Sequence, residues 1–211
     1  MGKMIGTIPR YIAPGIVGVK NEEDGTCHAY DTWKHKNLNP EDVDDKIYIY
    51  ERQVKKWFLE RATRIKEGEH TGFVVLMIGV SYIEGVQQYI EGERSGTRKN
   101  LSGACFVRGL RRIFKLRDVP DSRLRSFFDQ VRCGLFHDGM TREQVVIRSN
   151  RSRQIIDFSK PDEIWIDHKK FIARIKDDFN QYILDLKNKN KKRLRDNFDD
   201  MFHVVKQEEH V

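Results

Sequence analysis

Residues 127–139 read FFDQVRCGLFHDG, and this short stretch decides how the chain is interpreted. It places Arg132 and His137 in an otherwise apolar segment that stops at Gly139. An arginine keeps its charge in proteins and binds phosphate through two parallel hydrogen bonds, whereas histidine exchanges protons near neutral pH. The two side chains together have the chemistry to hold a phosphodiester and to move protons around it.

A helix leads into this stretch. Pro120-Asp121-Ser122 is a typical helix start, because proline is favoured at the first helical position, and Gly139 is a typical end. Between them, apolar residues recur every three or four positions, which predicts a buried helical stripe. The stripe consists of Leu124, Phe127, Phe128, Val131 and Leu135.

The same spacing predicts helices elsewhere, so the fold class is mainly α. An amphipathic helix is expected over 46–68, and a second, apolar on nearly all sides, over 73–90, with Thr71 as a possible N-cap. A third is expected over 100–115, and one long C-terminal helix or two consecutive helices over 168–206. The segment 73–90 is the expected centre of a helical bundle.

Two regions lack the helical period. Residues 1–45 hold three of the five prolines and five of the fifteen glycines, so we expect an irregular N-terminal arm ahead of a helical domain spanning 46–211. After Gly139 the apolar period drops toward two in three short runs, at 145–147, 154–158 and 164–166. These predict a small β insertion over about 144–167, with Ser149–Ser152 joining the first two runs as a hairpin.

The segment around Arg132 and His137 resembles the R-x4-6-H signature of the HEPN superfamily, with four residues between the pair. The resemblance covers roughly residues 46–187 and implies a HEPN-like helical bundle with a small β-hairpin insertion after the motif helix. A second match, Arg64 and His70, brackets the polar run 66–69, and we interpret it as chance. At Cys133 the chain departs from the Asn, Asp or His that many members carry.

The resemblance implies a metal-independent endoribonuclease of a microbial toxin or antiviral defence system, with Arg132 and His137 as catalytic residues. It would be cytoplasmic, use no cofactor or metal, act on RNA without a membrane, and have an antitoxin or other defence-system protein as a possible partner. The first alternative is a non-catalytic HEPN-like module that binds nucleic acid, nucleotide or protein. The second is a structural helical dimer, with His137 stabilising a helix end.

Three other residues are candidates for supporting roles. Glu84 interrupts the apolar face of the central helix, where it either pairs with Arg132 or reaches solvent. Asp138 either orients His137 or caps the helix. Cys133 either has a pKa lowered by Arg132 or is a small buried thiol.

The spacing of the motif has a geometric consequence. Residues five apart on an α-helix diverge by about 140°, so Arg132 and His137 of one chain should not meet on an unbroken helix. Either the helix breaks at Gly134, or a second copy supplies the partner residues. HEPN nucleases commonly join two motifs across a two-fold axis, so the resemblance implies a homodimer.

Basic residues exceed acidic ones by seven, 39 against 32, which favours binding to polyanions. The excess falls into clusters, of which two are candidate RNA-binding surfaces and a third spans 187–195. Each cluster alone is equally compatible with a solvated helix face. The candidate RNA-binding residues are Arg108, Arg111, Arg112, Lys115, Arg148, Arg151 and Arg153.

The sequence lacks the motifs that are typical of several function classes. The most apolar run, 72–80, is shorter than the ~20 residues of a membrane span. Three widely spaced cysteines argue against a disulfide framework. Neither a phosphate-binding G-x4-GK-S/T loop nor G-x-G-x-x-G occurs. The pair His137-Asp138 resembles the metal-binding dipeptide of phosphohydrolases without that family's further ligands, and Cys27, His28 and His35 lack zinc-site spacing.

Overall fold

The structure, a computed structural model, describes residues 10–20, 26–94, 101–148 and 154–204. Within these ranges the chain is mainly helical, with two small sheets, as the apolar spacing predicted. The α-helices are α1 (Val43–Gln53), α2 (Glu60–Ile65), α3 (Gly72–Glu91), α4 (Leu101–Phe114), α5 (Asp121–Phe127), α6 (His168–Lys187) and α7 (Lys192–Met201). Two π-helical segments, π1 (Val54–Leu59) and π2 (Phe128–Asp138), continue α1 and α5 without a break.

The expected irregular arm is wrong. Residues 10–38 contain a four-stranded antiparallel sheet in the order β1 (Arg10–Ala13), β2 (Ile16–Lys20), β3 (Cys27–Asp31) and β4 (Lys36–Leu38). The strands are only three to five residues long, which is too short for a clear alternation in the sequence. Gly15 makes the tight turn between β1 and β2 at φ 73°, so glycine here forms a hairpin instead of irregular chain.

The sheet is attached to α1 through a buried ion pair. Arg52 donates to Asp31, with Nη2 to Oδ2 at 2.7 Å, and Tyr48 donates its hydroxyl to the same carboxylate. Asp31 is fully buried, which alone would raise its pKa, but the hydrogen bonds from Tyr48 and Arg52 prevail and lower the pKa to about 2. The Asp31 carboxylate therefore stays charged and ties β3 to the first helix.

Helix α3 is the centre of the bundle, as expected, and packs against α4, α6, α7 and π2. Contrary to the sequence-based expectation, α3 is long and apolar enough to span a membrane by length and composition alone. Half of that apolar window is buried inside the domain, as in the core helix of a globular fold. Thr71 precedes the helix, but its side chain bonds the Gly68 carbonyl instead of capping α3.

The β insertion is present, but its pairing differs from the expectation. Strand β7 (Ile164–Ile166) lies in the middle, parallel to β5 (Val145–Ile147) and antiparallel to β6 (Ile156–Asp157). The first two strands therefore do not pair as a hairpin, and residues 149–152 lie outside the described part of the chain. Ile156, Ile164 and Ile166 are buried against the core. Two of the three lie on β7, so the central strand is the one with the most side chains packed on the helices.

The third basic cluster, 187–195, makes ion pairs with the first helix. Helices α6 and α7 are joined at 188–191, and the cations there face the acidic start of α1. Arg195 binds Asp44 at 2.7 Å and the Leu186 carbonyl at 2.5 Å, and Lys187 binds Glu51 at 2.5 Å. These contacts join the end of the chain to α1.

Candidate active site

The motif pair lies on a π-helix. Segment π2 runs from Phe128 to Asp138 through Gly134, so the helix does not break at that glycine. A π-helix is closed by hydrogen bonds between residues five apart, and its turn is wider than that of an α-helix. Arg132 and His137 are five apart, so they are separated by about one turn. The expected divergence of about 140° was wrong because it assumed α-helical geometry.

The chain folds back along π2 immediately after the motif. Gly139 reverses the backbone at φ 74°, and the Arg142 amide then donates to the Gln130 carbonyl at 2.9 Å. A Cβ on Gly134 would come within 2.6 Å of the Met140 carbonyl oxygen, so glycine is required for this close approach. We call residues 139–142 the return loop; it covers the side of π2 that carries Gly134.

Arg132 is fixed by a carboxylate and two rings. Its Nη2 lies 3.2 Å from Oε2 of Glu84, which is only 9% exposed on α3. The guanidinium carbon lies 5.0 Å from the centre of the Phe136 ring and 5.7 Å from that of Phe128. Of the two alternatives left open for Glu84, the structure shows pairing with Arg132, and exposure of the carboxylate to solvent is wrong. A quarter of the Arg132 side chain remains accessible to a ligand.

His137 has different surroundings. It is exposed on the last turn of π2, and in the part of the chain that the structure describes no hydrogen bond or ion pair involves its ring. Asp138 does not orient it, because the Asp138 carboxylate accepts from Arg142 Nε at 2.7 Å. Arg142 also binds Asp129 at 2.7 Å and so clamps the return loop to both ends of π2. The imidazole is thus placed for contact with a ligand from solvent.

Of the two alternatives for Cys133, a thiol with a lowered pKa or a small buried thiol, the structure favours the second, with the side chain half-buried. Burial raises its pKa, and this effect exceeds the opposing influence of the neighbouring Arg132 charge. A raised pKa keeps the thiol protonated at neutral pH and so unreactive. Cys133 is therefore a packing residue at this position, and a lowered pKa is wrong.

The arginines of α4 are engaged within the fold. Arg108 donates to both carboxylate oxygens of Glu91 at 2.6 Å, and Arg112 holds the buried Asp178 at 2.5 and 3.0 Å. Arg111 bonds the Asp121 carboxylate at 2.5 Å and the carbonyls of Leu116, Arg117 and Val119. RNA binding by these residues stays a prediction, and a phosphate would have to compete with these partners.

The remaining predicted RNA-binding residues divide into two groups. Lys115 is exposed at the end of α4, and Arg148 lies over the Trp165 ring, with its guanidinium carbon 3.2 Å from the ring centre. Arg151 and Arg153 lie outside the described residues. Four of the five predicted cations that the structure describes therefore already contact a partner within the fold.

Sequence reasoning missed three residues of this site, namely Phe128, Phe136 and Arg142. The two phenylalanines are four residues before and after Arg132, a spacing that places side chains on one helical face and was available as a signal. The role of Arg142 depends on the return loop, which the sequence does not encode locally. Among the described residues, no group of three or more His, Cys, Asp or Glu side chains is arranged to hold a metal ion.

Comparison of the chain with protein-family models, with curated proteins and with solved structures gave no match.

Proposed function

We propose that this protein is a metal-independent endoribonuclease in which Arg132 and His137 act on the scissile phosphodiester. The observation that carries the proposal is the fixed Arg132 guanidinium, held between Glu84 and two phenyl rings, one π-helical turn from an exposed imidazole. A preoriented cation beside an accessible proton-transfer group is the minimum that such a reaction needs.

The reaction would proceed by attack within the RNA. A general base removes the proton of the ribose 2′-hydroxyl, and the 2′-oxygen forms a bond to phosphorus. The bond from phosphorus to the 5′-oxygen breaks, and a general acid protonates that leaving oxygen. The products are a 2′,3′-cyclic phosphate and a free 5′-hydroxyl. His137 supplies one proton transfer, worth typically ~10²–10⁴-fold, and Arg132 stabilises the charge that builds on the phosphate oxygens.

We further propose that two copies form the complete site. The reaction needs a base and an acid, and His137 is the one histidine of the motif. A two-fold axis beside the motif would place two copies of it in one cleft. Exposed apolar side chains lie on the return loop, on π2 and on α3; they are Met140, Phe136, Met77 and Val74. We expect a second copy to cover these side chains.

Sedimentation tests the dimer. At micromolar protein we expect a species of twice the 25.0 kDa chain mass. Met77→Asp should shift it toward the monomer, because a charge on the covered face would be desolvated without a partner. Leu184→Asp, at an exposed site on α6, is the matched control and should leave the mass unchanged. A monomeric wild type would refute this part of the proposal.

The resemblance supplies the biological setting of the proposal, a cytoplasmic toxin or antiviral effector whose activity a partner protein restrains. The second candidate function, a non-catalytic HEPN-like binding module, is favoured by the Glu84 contact. That carboxylate offsets part of the Arg132 charge, which weakens the charge stabilisation that cleavage would need.

Incubation of the purified protein with total cellular RNA in EDTA separates the two candidates. We expect degradation in the presence of the chelator, with fragments that end in a 2′,3′-cyclic phosphate or its hydrolysed form. Intact RNA would refute the nuclease, and bound but intact RNA would support the binding module.

A further inference from the structure

Segment π2 is long for a π-helix. This winding is rare in proteins and mostly occurs as a single turn inserted into an α-helix. Segment π1 is close to such a single turn, with six residues, whereas the eleven residues of π2 make more than two turns. A π-helix of this length needs contacts that favour it over the commoner α-helix, and the return loop supplies them.

Arg142 bridges two carboxylates that only the wider winding brings to one side. Its Nη1 lies 2.7 Å from Oδ1 of Asp129, and its Nε lies 2.7 Å from Oδ2 of Asp138. The two aspartates are nine residues apart. On an α-helix nine residues make about two and a half turns, which places the side chains on opposite sides. On a π-helix they make about two turns, so both carboxylates face the same guanidinium.

Two further contacts of the return loop depend on the same winding. The Arg142 amide donates to the Gln130 carbonyl at 2.9 Å, near the start of π2. In the middle of π2, a Cβ on Gly134 would lie 2.6 Å from the Met140 carbonyl oxygen. The loop therefore contacts π2 at both ends and at its centre, and a change in the number of residues per turn would break these contacts.

We infer that Arg142 is a positioning residue, which holds π2 in its π-helical winding and so keeps Arg132 and His137 about one turn apart. Without the clamp, π2 would tighten to an α-helix, and the two side chains would diverge by about 140°. Arg142 acts through the direction of the His137 side chain and not by contact with the substrate. The effect on catalysis rests on the proposed function, whereas the winding can be measured without RNA.

Nickel binding reports the winding independently of activity. Two imidazoles about one turn apart on one helical face bind a divalent metal ion jointly. Arg132→His places an imidazole five residues before His137, a spacing that makes such a site on a π-helix but not on an α-helix. Isothermal titration calorimetry of the full chain should show Ni²⁺ binding at least about tenfold tighter than in wild type. Addition of Arg142→Ala should abolish this gain.

Cys133→His is the matched control for the nickel experiment. It places an imidazole four residues before His137, and residues four apart are neighbours on an α-helix and close to one turn apart on a π-helix. Its Ni²⁺ affinity should therefore rise with and without Arg142→Ala. Equal Ni²⁺ binding by Arg132→His with and without Arg142→Ala would overturn the inference. Loss of both nickel sites on Arg142→Ala would also overturn it, because the helix would then unfold instead of rewinding.

The cleavage rate gives a second readout. Arg142→Ala should lower kcat about tenfold or more with KM nearly unchanged, because the phosphate site at Arg132 remains while the imidazole turns away. Gly134→Ala should have the same effect, since its Cβ displaces the Met140 carbonyl. Gly85→Ala, whose Cβ would meet no atom within 4 Å, is the control and should cleave like wild type. A wild-type kcat in Arg142→Ala would overturn the positioning role.

Failure of the proposed function gives a different result. If wild type leaves RNA intact in EDTA but the nickel site of Arg132→His depends on Arg142, the nuclease is refuted and the control of the winding stands. If RNA is cut but the nickel site is independent of Arg142, the nuclease stands and the inference about the winding is overturned.

Discussion

Helix α4 and segment π2 both present arginines, but the two regions use them differently. Arg112 on α4 makes three hydrogen bonds to Asp178 and Gln87. Within the described ranges Arg132 on π2 makes one ion pair, at 3.2 Å to Glu84, and is flanked by phenyl rings. A guanidinium whose donors are filled by its own fold stabilises that fold, whereas one held mainly by rings keeps donors for a phosphate. The partners of an arginine therefore indicate its role better than its place in a basic cluster.

The largest effect on folding should come from Arg112→Ala. This change leaves Asp178 buried beside Tyr82 without its cation, and loss of one partner of a buried pair costs about 3 kcal/mol or more. Urea denaturation should show this decrease in the free energy of unfolding. Arg117→Ala, an exposed arginine after the same helix, should change it by less than about 0.5 kcal/mol. If Arg112→Ala weakened RNA binding and left stability intact, the arginines of α4 would not be structural, and the contrast between α4 and π2 would be wrong.

The Asp31–Arg52 pair extends the comparison to a second structural arginine. The pKa of Asp31 is lowered from 3.8 to about 2 in the fold, so its contribution is present above pH ~4 and is lost as pH falls toward 2. By linkage this amounts to about 2 kcal/mol. Asp31→Asn should therefore be less stable at neutral pH, and its stability should fall less than that of wild type between pH ~4 and ~2.

Urea denaturation at several pH values tests the Asp31 prediction, with the exposed Asp118→Asn as control. The difference in stability between wild type and Asp31→Asn should shrink as the pH decreases through this window. A difference that is independent of pH would show that Asp31 acts through packing and not through its charge.

Glu84→Gln tests what fixes Arg132. Removal of the carboxylate charge should let the guanidinium leave its orientation, so kcat should fall about tenfold, or ~1.4 kcal/mol, with KM nearly unchanged. The pH profile of the reaction should keep its shape, because His137 is untouched. If the protein is instead a binding module, the same change should strengthen oligonucleotide binding, since the offsetting charge is gone. An unchanged kcat would show that the two phenyl rings are sufficient to orient Arg132 without the Glu84 charge.

The smallest effect is expected for Arg108→Ala. The Arg108–Glu91 pair is on the surface, with 46% of the arginine side chain exposed, so its loss should cost about 0.5 kcal/mol or less. Because Glu91 already neutralises this cation, the dependence of RNA affinity on salt should not change. A decrease of about 0.7 in the log-log slope would show that Arg108 contacts a phosphate.

Local patterns were sufficient to predict the helices. Leu124, Phe127, Val131 and Leu135 are buried as the apolar stripe required, and α3 is central. The π-helical turn at the motif was not predicted because it depends on the return loop, which packs over Gly134. The N-terminal sheet was missed because its strands are short and because Gly15 forms a turn where an irregular chain was expected. For Glu84 the sequence left pairing with Arg132 and exposure to solvent open, and the structure shows the pair. The role of Arg142 required the tertiary fold.

RNA cleavage and thermal stability, measured together on four alanine variants, test the central claim most directly. The four variants are Arg132→Ala, His137→Ala, Arg64→Ala and His70→Ala. Arg132→Ala and His137→Ala should each lose at least ~10²-fold in cleavage rate in EDTA with the thermal midpoint nearly unchanged. Arg64→Ala and His70→Ala, the chance match on the exposed end of α2 and the following turn, should cleave like wild type. Equal behaviour of the two pairs, or unfolding of the Arg132 and His137 variants, would contradict the proposed role of the motif.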